Sequence, residues 1–140
     1  MNYKGMIAPA IGVILVIVMF VLVCGNPVQE QVKKGDSFFE QGQYDNAIAA
    51  YTKAIELYPK DAAVYDSRGL AKIYEDRGLA YYKENDCNNA IADYTRAIEI
   101  DPKYAPAYNN RSVAYWAVKE YDKSRADLKQ AMALMSNVIP

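Results

Sequence analysis

Chemistry in this chain would have to come from a short list of side chains. Its 140 residues include no histidine, which removes imidazole general acid–base catalysis, Ser-His-Asp and Cys-His arrangements, and imidazole metal sites. The two cysteines, Cys24 and Cys87, stand far apart, at no spacing that suits a metal site or a disulfide framework. The seven glycines are dispersed, so no phosphate-cradling loop exists. Acidic pairs such as Glu75-Asp76 hold the right groups for acid–base work, but on an exposed helix they read as solvent-facing charges. No catalytic residue, metal ligand or cofactor is expected. All 17 acidic residues and every basic residue but Lys4 follow Pro27, for a net charge of about −2 over that part. The two signs are interspersed with no basic stripe, which excludes nucleic acid as a partner. What remains is a set of regularly spaced aromatic residues, which suits binding rather than catalysis.

The spacing of those aromatics comes from a repeat. Ala47-Ile-Ala-Ala-Tyr-Thr-Lys-Ala-Ile-Glu-Leu-Tyr-Pro59 recurs as Ala90-Ile-Ala-Asp-Tyr-Thr-Arg-Ala-Ile-Glu-Ile-Asp-Pro102. In each copy Ala, Tyr, Ala and Ile fall on one helical face, and a proline ends the helix. Twelve residues before each leading Ala stands a glycine, Gly35 or Gly78, with Phe38 or Tyr81 three residues beyond it. This order of Gly, aromatic, Ala, aromatic, Ala and Pro resembles the tetratricopeptide repeat, in which two antiparallel helices form a unit of about 34 residues and units stack into a superhelix. The resemblance gives an all-α solenoid of three repeats, about 28–61, 71–104 and 105–135. The third copy departs most: Ser112 replaces the glycine, Ser124 the first Ala and Leu128 the Tyr, while Tyr108, Tyr115, Tyr121 and Ala131 are kept. The leucine usual before the glycine is Lys34, Arg77 or Arg111 here. Cys87 takes a place held by Tyr44 and Tyr121, a packing position that in an oxidising compartment would also allow pairing between chains.

The resemblance implies a concave groove lined by the first helix of each unit. The positions that face it would be Val32, Asp36 and Phe39, then Glu75, Leu79 and Tyr82, then Asn109, Val113 and Trp116. Phe39, Tyr82 and Trp116 form a column of rings that either offers π faces to an extended peptide or a partner helix, or packs between neighbouring helices. Family members that clamp a peptide's C-terminal carboxylate use Lys, Asn and Arg at the other two positions. Those basic pairs are missing here, so an apolar or modestly basic partner is expected. At the far end, Leu128, Met132 and Met135 would lie uncovered where repeat arrays generally carry a polar capping helix. A partner subunit, a second copy (a homo-oligomer), the membrane surface or a fold-back of Val138-Ile139 would cover them.

Nine extra residues, 62–70, separate the first two repeats. They resemble the start of the second repeat: Tyr65-Asp66-Ser67-Arg68-Gly69-Leu70-Ala71 matches Tyr74-Glu75-Asp76-Arg77-Gly78-Leu79-Ala80. Nine helical residues shift the face by half a turn. The expectation is one long helix from about Ala62 to Lys83 with a second apolar face turned outward, a separate turn being the other outcome.

Ahead of the repeats, Met6–Cys24 is nineteen residues without a charge, long enough to span a membrane as a helix. The domain division is therefore 1–27, an N-terminal anchor, and 28–140, the repeats. The run exceeds the apolar core of a cleaved signal, so a retained, single-pass signal anchor is expected. Cleavage after Gly25 and lipidation at Cys24 are the alternatives. The short tail before the anchor places the repeats on the non-cytoplasmic side, while Lys33 and Lys34 weigh slightly for the cytoplasmic side. Together these features predict a non-enzymatic, membrane-tethered scaffold for protein–protein interaction, serving as an accessory or assembly subunit of a membrane complex. A peptide-binding adaptor using the aromatic groove, and an exported repeat protein, are the other readings.

Overall fold

The computed structural model describes residues 25–58 and 67–136. The expected membrane segment 6–24, the part of the insertion before Ser67 and the tail after Ser136 lie outside the described residues. Among the described residues no helix is long and apolar enough to cross a membrane.

Among the described residues six helices follow one another: α1 (Pro27–Glu40), α2 (Tyr44–Leu57), α3 (Ser67–Lys83), α4 (Cys87–Ile100), α5 (Ala105–Ala117) and α6 (Tyr121–Ser136). They pack most extensively as the pairs α1/α2, α3/α4 and α5/α6, with α2 against α3 and α4 against α5 joining the pairs in sequence. This is an all-α helical solenoid. Its core is built on small residues: Ala47, Ala54, Ala80, Ala90, Ala97, Ala107, Ala114 and Ala131 are fully buried, letting helix backbones approach closely. Tyr51 and Tyr94 fill the remaining space and are themselves buried.

Those two tyrosines explain the repeated glycines. A Cβ on Gly35 would come within 2.5 Å of the Tyr51 ring, and one on Gly78 within 2.7 Å of the Tyr94 ring. In the third repeat Leu128 stands in the tyrosine's place, and Ser112 is accommodated with its hydroxyl donating to the Asn109 carbonyl at 2.7 Å.

The turn inside each pair is the same three times. The N–H groups of Gln43, Asp86 and Glu120 donate to the carbonyls of Phe38, Tyr81 and Tyr115, each at 2.9 Å. The preceding residue adopts a left-handed conformation in every case: Gly42 (φ 71°), Asn85 (φ 62°) and Lys119 (φ 65°). This is a Schellman close, which satisfies the last carbonyls of the first helix and reverses the chain. Asn26 caps α1 by accepting from the Val28 N–H, and Asp86 caps α4 by accepting from the Asn89 N–H.

Of the nine extra residues, Ser67–Leu70 are helical and extend α3 at its N-terminus. Arg68 reaches across to Asp101 at the end of α4, at 2.9 Å. Leu70 is half-buried rather than turned fully outward.

Candidate partner-binding groove

A trough opens between α1 and α3. Its larger part, about 480 Å³, has apolar walls from Val28, Val32, Tyr58 and Ile73, with Asp36, Lys72 and Asp76 among them. A smaller part, about 250 Å³, continues past Phe39, Tyr51 and Leu79 and shares Asp36 and Asp76 with the first. Gly69, from the extra residues, forms part of the wall.

The trough exists because α3 is bonded to α5 but not in the same way to α1. Glu75 accepts from the Asn110 side chain at 2.7 Å and from the Tyr104 hydroxyl at 3.1 Å, drawing α5 onto α3. One repeat earlier the places of Glu75 and Asn110 are held by Val32 and Asp76. A valine has no group to bond a carboxylate, and both residues line the opening instead.

Asp76 is bonded by Lys72 at 2.7 and 3.0 Å. Burial still pushes its carboxyl up to about 6, with Glu75 and Asp36 adding repulsion against the pull of Lys72. The Tyr51 hydroxyl donates to Asp36 at 2.8 Å. Burial, reinforced by that hydrogen bond, holds Tyr51 well above the usual tyrosine range. The trough is an apolar slot lined also by Asp36 and Asp76 and by the ammonium group of Lys72.

Four of the nine residues expected in the groove line this trough: Val32, Asp36, Phe39 and Leu79. Glu75 is close by but half-buried and engaged with α5. The ring column is divided. Phe39 is half-buried and meets Tyr44 edge-on at 5.3 Å. Tyr82 packs against the buried group of Ala90, Tyr94 and Ala114. Trp116 is 66 % exposed and leans on Tyr121 at 4.8 Å. Rings at the two ends thus rest on the tyrosine that opens the second helix of their own pair, and Cys87 stands where Tyr82 would find its equivalent. Asn109 and Val113 are exposed on α5. At the far edge Leu128, Met132 and Met135 are exposed as well. Lys72, Asp76 and Tyr51 join the trough without being indicated by the repeat positions. The four-residue spacing of Lys72 and Asp76 on one helix face is the sequence signal that links them.

A second device is equally hidden in the repeat pattern. The Arg77 guanidinium donates to both carboxylate oxygens of Asp93 at 2.7 Å and to the Thr52 hydroxyl at 3.0 Å. Arg111 does the same with Asp127, at 2.7 and 2.8 Å, and with Thr95 at 3.0 Å. Tyr74 and Tyr81 flank the first guanidinium, and Tyr108 and Tyr115 the second, all within 6 Å. Each fork ties the two helices of one pair together and fastens them to the second helix of the pair before. Burial works against the Arg77 charge, but Asp93 outweighs it and holds the guanidinium above its usual value.

A family model described as a TPR repeat matches residues 35–73 and 78–119, and one described as a tetratricopeptide repeat matches 106–138. The chain belongs to the tetratricopeptide repeat (TPR) family. The six helices among the described residues form a TPR solenoid, as the resemblance led us to expect. No curated protein matches the chain. Among solved structures this TPR array is similar to the TPR2B-domain:pHsp70 complex of yeast Sti1, at 32% identity over 80% of this chain and 82% of that one, with a TM-score of 0.70. It is similar to the second TPR of Spaghetti (RPAP3) bound to the HSP90 peptide SRMEEVD, at 26% identity over 78% of this chain and 93% of that one, with a TM-score of 0.66. It also resembles the Arabidopsis OM64 TPR domain, at 26% identity over 81% and 86%, with a TM-score of 0.69.

Proposed function

We propose that this TPR array is a non-enzymatic, membrane-tethered protein-interaction module, an accessory or assembly subunit of a membrane complex, whose trough takes an apolar segment carrying a basic residue. The observation that carries the reading is the chemistry of the trough. Asp36 and Asp76 line both parts of it, alongside Val28, Val32 and Ile73 in the larger part, with Lys72 the cation among its lining residues. The RPAP3 relative is bound to a peptide ending in Glu-Glu-Val-Asp. Val32, Asp36, Glu75, Leu79, Asn109 and Val113 include no basic residue, and the one cation among the trough's described lining residues, Lys72, is already bonded to Asp76, so such a tail would meet mainly carboxylates. Peptide capture by a TPR surface is retained in this reading, with the preferred charge reversed. Tethering through residues 6–24 raises the local concentration of a partner in the same membrane, so a weak groove suffices.

The test uses full-length protein in neutral detergent and two labelled peptides, SRMEEVD and SRMKKVK. The basic peptide is expected to bind at least tenfold tighter, and Asp36→Lys to remove that preference. Tighter binding of the acidic peptide, or no effect of Asp36→Lys, overturns the charge assignment. The intact mass of the membrane-extracted protein tests the tether: a full-length mass supports a retained anchor, whereas loss of residues 1–25 or an acyl addition at Cys24 assigns cleavage or lipidation instead.

A further inference from the structure

The outer face of α6 carries a stripe of Leu128, Met132 and Met135, exposed by 44, 61 and 51 %. These residues lie at i, i+4 and i+7, on one side of the helix. Arg125 and Lys129, both exposed, run alongside them. At the same end, a recess of about 520 Å³ beside Leu134 and Met135 is rimmed by Lys103 and Arg68. This surface is separate from the trough between α1 and α3.

The chain itself shows how a helix docks on a face of this kind. On α2, Thr52 accepts from Arg77 of the next helix, and on α4, Thr95 accepts from Arg111 of the next helix, each at 3.0 Å. α6 is the third second-helix of the array, and in it the place of Thr52 and Thr95 is held by Lys129. Lysine has three donors and no acceptor. An arriving arginine would find no oxygen there and would meet a like charge.

We propose that the outer face of α6 docks one amphipathic helix of another protein, which lays apolar residues on Leu128, Met132 and Met135 and brings a carboxylate to Lys129 where α3 and α5 bring a guanidinium. The same charge logic disfavours a second copy stacked as a fourth unit. The first helix of that copy would present Lys34, the counterpart of Arg77 and Arg111, to Lys129. Lys103 rims the recess at the same end, whereas Arg68 and Arg125 are held by Asp101 and Asp122, so the preference for a carboxylate on the incoming helix rests on Lys129.

The probe is a pair of synthetic peptides with the sequence of α3, Ser67–Lys83, one natural and one carrying Arg77→Glu. Binding to full-length protein in neutral detergent is measured by fluorescence anisotropy. The glutamate peptide is expected to bind at least tenfold tighter than the natural one. Lys129→Thr, a surface change that restores the residue of the two earlier units, should reverse the preference, and Met132→Asp should abolish binding of both. Absence of binding by the glutamate peptide, equal binding of the two, or a preference unchanged by Lys129→Thr overturns the proposal. So does self-association in sedimentation velocity that Met132→Asp removes, which assigns the face to a second copy. Protection of Met132 and Met135 from hydroxyl-radical oxidation by anionic nanodiscs alone assigns it to the membrane surface and likewise overturns the proposal.

Discussion

Arg77 and Asp93 are both largely withdrawn from water, and each is the other's charge partner. Removing one partner of a buried pair leaves a bare charge, which is destabilising by about 3–5 kcal/mol, whereas replacing both with well-packed apolar groups is often neutral. Arg77→Ala is therefore expected to lower unfolding free energy by about 3 kcal/mol in urea titrations, partly through lost packing on Tyr74 and Tyr81. Arg77→Leu with Asp93→Ala should recover most of that loss, because the first repeat already has Ala50 in place of Asp93. A double variant as unstable as the single one would mean that the fork is not a coupled unit. The sequence showed Arg77 and Arg111 as departures from the family's leucine, but not what they bind. Reading one helix at a time gives a face, not a partner across the interface. The clue was the sixteen-residue offset from arginine to aspartate, which is also the offset from Gly35 to Tyr51 and from Gly78 to Tyr94.

The second helices of the first two units were legible because Ala, Tyr and Pro recur at a fixed interval in and after α2 and α4, whereas α6 keeps only the last small residue of that pattern, Ala131. The turns were less so. Gly42 in the first turn is the residue the left-handed position favours, yet Asn85 and Lys119 hold the same conformation. Lys119, an ordinary L-residue, bears a strain of roughly 1–2 kcal/mol there. Lys119→Gly is expected to raise stability by about 0.5–1 kcal/mol, since glycine's greater unfolded-state entropy offsets part of the relief. The check is a thermal melt, in which an unchanged or lower midpoint would refute the strain. The column of Phe39, Tyr82 and Trp116 was legible as a set of positions but not as a ladder. Whether a ring faces the groove or leans on the residue five places on depends on that neighbour, and the neighbour is Tyr44, Cys87 or Tyr121.

Across the whole molecule, the trough sits at the joint between the first two units, where Val32 and Asp76 replace the bonded pair Glu75 and Asn110. This placement could not be read from periodicity, since it depends on which residues of successive units meet. It has a pH signature. The Asp76 carboxyl is raised from an unfolded value near 3.8 to about 6, so the folded state binds the proton more tightly than the unfolded state. Its contribution is fully present below pH 4 and is lost as pH rises through 6. Asp76→Asn removes this titration. The stability of the wild type relative to Asp76→Asn should thus fall between pH 4 and pH 7, by on the order of 2 kcal/mol, as measured by urea unfolding across that range. A difference that stays flat with pH would show that Asp76 titrates normally. Lys72, Glu75, Asp36 and Tyr51 surround it and remain in both proteins.

The first unit lacks the arginine fork: Lys34 and Ala50 hold its places, and Lys34 instead lies over the Phe38 ring at 5.8 Å. A linear array opens from its weakest joint, because each unit is held only by its neighbours. Amide hydrogens of α1 and α2 should therefore exchange as one early-opening unit, ahead of those in α4 and α5, which are clamped by Arg77 and Arg111. The soft end is also the end that would adjoin the membrane and that forms one wall of the trough. A partner seated between α1 and α3 would then act as the missing clasp, and its arrival would register as slowed exchange throughout the first unit, far beyond the residues it touches.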